Sequence, residues 1–164
     1  MTFIPRAAVP SDAAAIADLH VATWRETYSS LLPADFFSEE YVAGRHRLWA
    51  HVLANPRDDV AVRVGEVQGA IAGFSWAGPG IGREGEEPPR ARQLYALYVL
   101  TAFHGSGAGQ ALLDAVLVER PAMLWVAKEN PRAIAFYLRN GFRFDGVEQV
   151  DPAAPSITDS RMLR

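Results

Sequence analysis

A glycine-rich segment in the second half of the chain constrains the fold more than any other feature of the sequence. It reads His104-Gly-Ser-Gly-Ala-Gly109 and lies between an apolar run, Gln93–Leu100, and a segment, 108–116, whose apolar residues recur at helical spacing. An almost continuous apolar run rich in aromatic residues is typical of a strand buried on both faces. The sequence therefore predicts a buried strand that turns sharply into a helix.

Two helices and a hairpin are predicted before this turn. Residues 3–8 are short and extended, and Pro10-Ser-Asp12 supplies a proline and capping residues for a helical pattern that runs to about Tyr28. A second helical pattern covers roughly 35–54. Residues 60–77 contain two β-rich runs around a Gly-Glu-Val-Gln-Gly segment, which is typical of an antiparallel hairpin.

The elements after the turn complete a mixed α/β fold. Residues 123–127 form a short apolar strand, and Asn130-Pro131 provides a cap and a first-turn proline for a helix that Gly141 ends. Two last strands are predicted at about 143–150 and 157–163. Because helices and strands alternate in the middle of a chain of 164 residues, we expect one mixed α/β domain over 1–164.

Two details of the predicted sheet concern its central strands. Residues 78–92 are rich in glycine, proline and glutamate and have no apolar period, so they form a loop that is either disordered or functional. Tyr95 and Tyr98 are three residues apart in the apolar run. Regular alternation along a strand predicts that they face opposite sides of the sheet.

The composition excludes several classes of function. The chain has no cysteine, which excludes disulfides and thiolate sites, and its four histidines lack the spacing of a zinc site, so no metal is expected. A net charge of −3 predicts no nucleic-acid partner. The opening segment lacks the pattern of a signal peptide, and no apolar run reaches the roughly 18 residues of a membrane span. We therefore expect a cytoplasmic protein without a membrane partner.

The glycine turn is suited to binding a phosphate. Glycines let the backbone approach an anion, the amides at a helix N-terminus point toward it, and Ser106 adds a hydroxyl. A purely structural tight turn is the alternative. A dinucleotide-binding fingerprint does not fit, because Gln110 stands where its third glycine or alanine belongs. No Gly-Lys-Ser/Thr follows, which excludes a Walker loop.

Two motifs together resemble the GNAT superfamily of N-acetyltransferases. The family's motif A, Gln/Arg-x-x-Gly-x-Gly/Ala, is matched by His104, Gly107 and Gly109, and its motif B, Asn-x-x-Ala-x-x-Phe-Tyr-x-x-x-Gly-Phe, is matched from Asn130 to Phe142. The resemblance covers nearly the whole chain. It implies a central, mostly antiparallel sheet flanked by helices and splayed between the strands near 95–100 and 123–127, with acetyl-coenzyme A in the gap.

The resemblance also implies where the cofactor binds. The amides of the turn would hold its pyrophosphate, the strand before the turn would pair with its pantetheine arm and polarise the thioester carbonyl, and the motif B helix would supply further contacts. These candidates are Leu97, Tyr98, Val99, His104, Gly105, Ser106, Gly107, Ala108, Gly109, Asn130 and Tyr137. His104 departs from the family's glutamine or arginine and lacks arginine's charge and fork, and a solvent-exposed loop histidine is its alternative role.

Candidate catalytic residues follow from the needs of acetyl transfer. Tyr137 is the expected acid for the departing thiolate, since a phenol with a pKa of about 10 is close to a thiol in acidity; a core tyrosine is the alternative. Gln93 stands where many family members carry a glutamate that acts as the general base. Glu26, His20 or a water would therefore have to accept the proton of the amine. Glu26 is our candidate.

The helix that contains Trp24 and Tyr28 resembles the acceptor-side helix of bacterial GNAT enzymes. These residues are four apart on one helical face, where they either hold a cationic amine or belong to the core. The resemblance thus implies an enzyme that passes an acetyl group from acetyl-coenzyme A to a primary amine of a small molecule or peptide in a ternary complex, with a homodimer as the expected assembly. A degenerate member that binds acyl-coenzyme A as a sensor or partner module is the alternative.

Overall fold

The computed structural model describes residues 3–164, which form a seven-stranded sheet with helices on both faces. The strands are β1 (Arg6–Ala7), β2 (Ala61–Val67), β3 (Ala70–Pro79), β4 (Arg92–Val99), β5 (Met123–Ala127), β6 (Arg143–Val150) and β7 (Thr158–Leu163). The helices are α1 (Ala13–Tyr28), α2 (Glu39–Ala54), α3 (Ala108–Leu117) and α4 (Pro131–Arg139). The strand order is β1-β2-β3-β4-β5-β7-β6, with β4 and β5 parallel and the other neighbours antiparallel. The predicted mixed, mostly antiparallel sheet is confirmed.

The sheet opens between β4 and β5. These parallel strands pair only at their beginnings, where Gln93 lies opposite Met123 and Leu94 opposite Leu124. Beyond Leu94, β4 continues to Val99 against β3 alone, while β5 continues against β7 alone. The predicted splay in the middle of the sheet is therefore present, and it leaves one edge of each strand without a backbone partner.

A β-bulge in β4 changes the direction of one side chain. Trp76 pairs with Ala96 and the next residue of β3, Ala77, pairs with Leu94, so Tyr95 is an extra residue in β4. The ring of Tyr95 packs on Trp76 with 5.1 Å between centroids, and that of Tyr98 packs on Phe74 at 5.5 Å. Because Phe74 and Trp76 share a face of β3, the prediction that the two tyrosines face opposite sides was wrong.

Two apolar layers fix the helices on the sheet. On one face, α1 and α2 bury Ile16 and Trp49 against Phe74, all three with 0% exposure. On the other face, α3 and α4 pack around Leu113 and Phe142, which are also fully buried. This arrangement places α1 and α4 on opposite sides of the opening in the sheet.

Helix boundaries and faces differ from the prediction at a few positions. Helix α2 begins at Glu39 rather than near residue 35, because Ser38 caps it by accepting a hydrogen bond from the Tyr41 amide at 3.1 Å. Ala15 of α1 and Leu138 of α4, whose spacing predicts that they share the apolar face of their helices, are exposed. Asn130 and Pro131 begin α4 as predicted.

The segment predicted as a loop over 78–92 is ordered by hydrogen bonds. Strand β3 extends to Pro79, and the Gly80 amide donates to the Ala91 carbonyl at 2.9 Å. The Ile81 amide donates to the side-chain oxygen of Gln93, also at 2.9 Å. At the far end, Glu86 pairs with Arg161 of β7 at 3.0 Å. The loop is therefore an extension of the β3–β4 hairpin rather than a disordered segment.

A buried hydrogen bond ties β3 to α3 and gives a stability prediction. Ser75 is 0% exposed, and its Oγ donates to the Leu112 carbonyl at 2.9 Å. We expect Ser75→Ala to lower the free energy of unfolding by about 1 kcal/mol, the usual net value of such a bond. Urea unfolding would measure the change, with Ser156→Ala on an exposed serine as the control. Equal stabilities of the two variants would contradict the assignment.

Neither a membrane-spanning helix nor a metal-binding cluster is present in residues 3–164. No helix there combines the length and apolar character needed to cross a membrane. Nor do three or more His, Asp or Glu side chains come together in a way that would hold a metal ion.

Candidate functional site

A cleft of about 760 Å³ lies at the opening between β4 and β5. Its walls come from α1, the end of β4, the glycine turn and α4. Most of the predicted site residues line it, namely Glu26, Leu97, Tyr98, Val99, His104, Gly105, Gly107, Gly109, Asn130 and Tyr137. Ser106 and Ala108 belong to the same turn without lining the cleft, and Trp24 and Tyr28 lie behind its wall.

The glycine turn presents free backbone donors. Gly105 and Gly107 have φ angles of 76° and 88°, which glycine adopts without strain, and a Cβ added at either would meet no atom within 4 Å. Gly107 caps the N-terminus of α3. Within residues 3–164, the amides of Gly105, Gly107, Gly109 and Gln110 donate to no other group. The turn is therefore open and has unused donors that fit an anion.

The free edge of β4 also presents amides to the cleft. The Leu100 amide donates to the Ala72 carbonyl in β3 at 3.0 Å. Because successive amides along a strand point to opposite edges, those of Val99 and Leu97 point away from β3 and into the opening. The amide of Tyr98 points back toward β3, so Tyr98 reaches the cleft with its side chain.

His104 and Ser106 are held by internal hydrogen bonds. The Nε2 of His104 lies 2.9 Å from the Val99 carbonyl, which can only accept, so this nitrogen carries the proton of the neutral ring. The Ser106 hydroxyl donates to the Phe103 carbonyl at 2.6 Å and accepts from the Ala108 amide at 3.3 Å. Both side chains shape the turn, and neither neutral group keeps a hydrogen for a ligand.

Tyr137 of α4 combines core packing with access to the cleft. It is 7% exposed, and its ring packs on Phe136 at 5.3 Å and on Phe142 at 5.8 Å between centroids. Its hydroxyl makes no hydrogen bond to the residues that the structure describes. Burial, with smaller contributions from Tyr98 and Tyr28, raises the pKa of Tyr137 above its ordinary value. The phenol is therefore protonated at neutral pH and able to donate.

The candidate bases differ in their freedom to accept a proton. Glu26 is exposed, and its Oε2 accepts from the Thr101 amide at 3.0 Å and the Thr101 hydroxyl at 2.8 Å. These bonds hold the carboxylate at the cleft while Oε1 stays unbonded within residues 3–164. Gln93 is buried, and its side-chain oxygen accepts the Ile81 amide.

His20 is not free to act as a base. It is 6% exposed among Trp49, Phe74 and Tyr98, and burial, with a smaller effect of Arg45, lowers the pKa of His20 to about 4. Its Nδ1 accepts the Trp49 indole N–H at 3.1 Å. The proton of the neutral ring therefore lies on Nε2, and no ring nitrogen remains to accept another.

Trp24 and Tyr28 form an aromatic cluster directly behind the cleft wall. The Trp24 ring lies 4.8 Å from that of Tyr28 and 6.1 Å from that of Phe36. The Trp24 indole donates to the Tyr98 hydroxyl at 3.1 Å, and the side-chain amide of Asn130 donates to the Tyr28 hydroxyl at 3.3 Å. The cluster is thus connected to two residues that line the cleft.

One face of α4 that was not predicted to belong to the site contributes to the cleft. Arg132, Phe136 and Arg139 all line the cleft, and neither arginine makes an ion pair within residues 3–164. Their i, i+4, i+7 spacing places them on one side of the helix, and this signal was present in the sequence. They bring two positive charges to a cleft that already has free amides.

Known proteins resemble this chain in both sequence and fold. A family model described as an acetyltransferase (GNAT) domain matches residues 58–144. The chain is 29% identical over 147 residues to a probable N-acetyltransferase of Mycobacterium tuberculosis, covering 86% of this chain and 80% of that protein. It is 30% identical over 128 residues to an uncharacterized N-acetyltransferase of Bacillus subtilis, covering 74% and 69%.

A solved structure extends the likeness to the whole chain. The PaiA N-acetyltransferase of Thermoplasma acidophilum, in complex with coenzyme A, superposes with a TM-score of 0.69 at 18% identity, covering 100% of this chain and 99% of that one. At this identity the likeness concerns the fold. With the family model spanning more than half of the sequence, the chain belongs to the GNAT acetyltransferase family.

Proposed function

We propose that the chain is a cytoplasmic N-acetyltransferase that transfers an acetyl group from acetyl-coenzyme A to a primary amine of a small molecule or peptide. The two substrates would meet in a ternary complex. The observation that carries the proposal is the opening of the sheet directly beside a turn with free amides. Lack of cysteine agrees with a reducing compartment.

The cleft fits the charge and hydrogen-bonding needs of coenzyme A. The free amides of Gly105, Gly107 and Gly109 would hold the pyrophosphate at the N-terminus of α3. Arg132 and Arg139 would add charge on the α4 side. Many family members have an arginine at the position of His104. Arg132 and Arg139 would supply the positive charge of that arginine from α4.

The free edge of β4 would receive the pantetheine arm. An arm that runs alongside β4 can accept from the amides of Leu97 and Val99 as a neighbouring strand would. Because His104 already bonds to the Val99 carbonyl, the amide rather than the carbonyl of Val99 is available.

The residues around the opening supply the remaining needs of the reaction. Acetyl-coenzyme A, when bound, supplies a thioester whose C–S bond breaks as a neutral amine nitrogen forms a bond to the acetyl carbon. The amide of Leu97 or Val99 would donate to the oxygen that becomes negative. The Tyr137 hydroxyl donates its proton toward the departing sulfur.

Glu26 is the proposed proton acceptor, and Glu26→Gln tests it. Glutamine keeps an oxygen for the Thr101 hydrogen bonds but takes up no proton at neutral pH. We expect kcat/KM for the amine to fall about tenfold at pH 7, less than the hundredfold typical of a lost base, since water also reaches this exposed position. The defect should shrink toward pH 10, where a growing fraction of the amine is neutral without the help of a base. An unchanged pH–rate profile would contradict the role.

Titration calorimetry with acetyl-coenzyme A, with NAD as the control ligand, tests the donor. We expect saturable binding of acetyl-coenzyme A alone. A panel of primary amines, followed by release of free thiol, then tests transfer. Binding without acetylation of any amine would support the alternative of a sensor or partner module. Gln93, which is hydrogen-bonded and stands where other family members have a glutamate that acts as the base, favours this alternative. Absence of binding would overturn the proposed function.

A further inference from the structure

The carboxylate of Asp159 in β7 has no partner within residues 3–164. Three other carboxylates, those of Asp12, Glu86 and Asp145, have side chains that are at most 33% exposed, and each pairs with an arginine. Asp12 bonds to Arg6 at 2.8 Å, and Glu86 and Asp145 bond to Arg161 at 3.0 and 2.7 Å. The carboxylate of Asp159 makes neither a hydrogen bond nor an ion pair with any described residue. A half-buried charged group that is left unpaired calls for a ligand or another reason.

The strand register places Asp159 on the acceptor side of the sheet. Asp159 lies opposite Ala127 in the antiparallel β5–β7 pair, and directly opposite residues share a face. Ala127 packs in one apolar cluster with Tyr28, and Trp24 lies against this cluster. The carboxylate of Asp159 is thus on the same face of the sheet as α1 and the aromatic cluster.

No cationic side chain of residues 3–164 pairs with Asp159. Arg161, two residues along the same face of β7, bonds to Asp145 at 2.7 Å and to Glu86. Lys128 pairs with Glu148 at 2.9 Å. On the helices, the guanidinium groups of Arg25 and Arg45 lie over the rings of Phe37 and Tyr41 at 5.2 and 5.3 Å. These four cations are therefore directed at groups other than Asp159.

Asp159 does not itself line the cleft, but the amide of the adjacent Thr158 donates to the carboxylate of Glu129, a cleft residue, at 3.3 Å. Burial is the main cause of the raised pKa values of Tyr28 and Tyr98, and the charge of Asp159 raises both further. Tyr98 lines the cleft, as does the nine-tenths buried Tyr137, whose hydroxyl has no partner in residues 3–164. Burial, Asp151 and Glu129 raise the pKa of Asp159, so a cation beside it would relieve this cost.

We infer that Asp159 binds a second, distal ammonium group of the acceptor, so that the enzyme selects diamines or similar cationic amines. The inference rests on the proposed function. A carboxylate that held the reacting ammonium would keep it protonated and slow its attack, whereas one that holds a distal ammonium orients the molecule without this cost.

Three probes of equal length test the charge at the distal end: 1,4-diaminobutane, 4-amino-1-butanol and 4-aminobutanoate. We expect kcat/KM to be highest for the diamine, after halving for its two equivalent amines, and lowest for the aminobutanoate. Asp159→Asn should lower the diamine value about tenfold, the effect of one charged hydrogen bond, and leave the aminoalcohol value nearly unchanged. Asp151→Asn, on an exposed carboxylate of the same acidic end, is the matched control and should change neither.

Calorimetry of the diamine with the coenzyme A-loaded protein separates this inference from the proposed function. Weaker diamine binding in Asp159→Asn, with coenzyme A affinity unchanged, would support the inference even if no amine were acetylated. Equal kcat/KM for the three probes would overturn it while leaving the acetyltransferase intact. A preference for 4-aminobutanoate, or an equal loss in Asp151→Asn, would also overturn it, as would failure of the diamine to bind.

Discussion

Replacing Gly107 with aspartate is expected to lower the affinity for acetyl-coenzyme A by about a thousandfold, or roughly 4 kcal/mol. Gly107 caps α3 with a φ of 88°, and a side chain there would extend into open space beside the free amides. An aspartate would bring a negative charge to the place where the pyrophosphate would bind. Like charges brought together in a binding site cost several kcal/mol. Titration calorimetry would measure the loss.

The matched control is Gly107→Asn. Asparagine has nearly the same shape as aspartate, and both are among the few side chains that tolerate the left-handed region. Any difference between the variants therefore reports charge rather than strain. We expect the asparagine variant to lose no more than about tenfold in affinity for acetyl-coenzyme A, because its side chain fills part of the space beside the free amides without repelling the anion. Equal losses in the two variants would show that the turn does not bind an anion.

Features with a strong local cause were predictable from the sequence. The glycine turn depends on residues that accept a positive φ and lies directly before a helix, so its position follows from a few consecutive residues. The start of α4 depends on the cap and proline at 130–131 in the same way. The separation of β4 and β5 was expected only through the resemblance to a family, because no local pattern encodes the absence of pairing.

Features that depend on distant residues were not predictable. The bulge at Tyr95 arises from the pairing of β4 with β3, and it reversed the expected direction of that side chain. The sequence predicts His104 either as a pyrophosphate ligand or as an exposed histidine, and the bond from its Nε2 to the Val99 carbonyl depends on the folded turn. That Asp159 has no ion-pair partner within residues 3–164 follows only from the three-dimensional positions of the arginines and the lysine. The hydrogen-bond and ion-pair partners of a side chain depend on residues that the fold brings close, which a short segment of sequence does not contain.

Tyr137→Phe is expected to lower kcat about a hundredfold, within the range for loss of a general acid, and to leave the affinity for acetyl-coenzyme A nearly unchanged. The substitution removes only the hydroxyl, which has no hydrogen bond within residues 3–164, so the packing on Phe136 and Phe142 persists. Thiol release at saturating amine measures kcat, and calorimetry measures the affinity. Tyr95→Phe, which removes a phenol that bonds to the Pro79 carbonyl away from the cleft, is the control.

The pH dependence distinguishes an acid from a merely structural tyrosine. Because burial raises the pKa of Tyr137 above its ordinary value of 10.0, the phenol stays protonated through pH 9, and Tyr137 itself imposes no alkaline fall on the wild-type kcat in that range. The loss in Tyr137→Phe should therefore be of constant size from about pH 6 to 9. A tyrosine with only a packing role would instead leave kcat of the folded enzyme unchanged at every pH, since phenylalanine keeps the packing on Phe136 and Phe142. That outcome would remove Tyr137 from the reaction and leave the departing thiolate to be protonated by water.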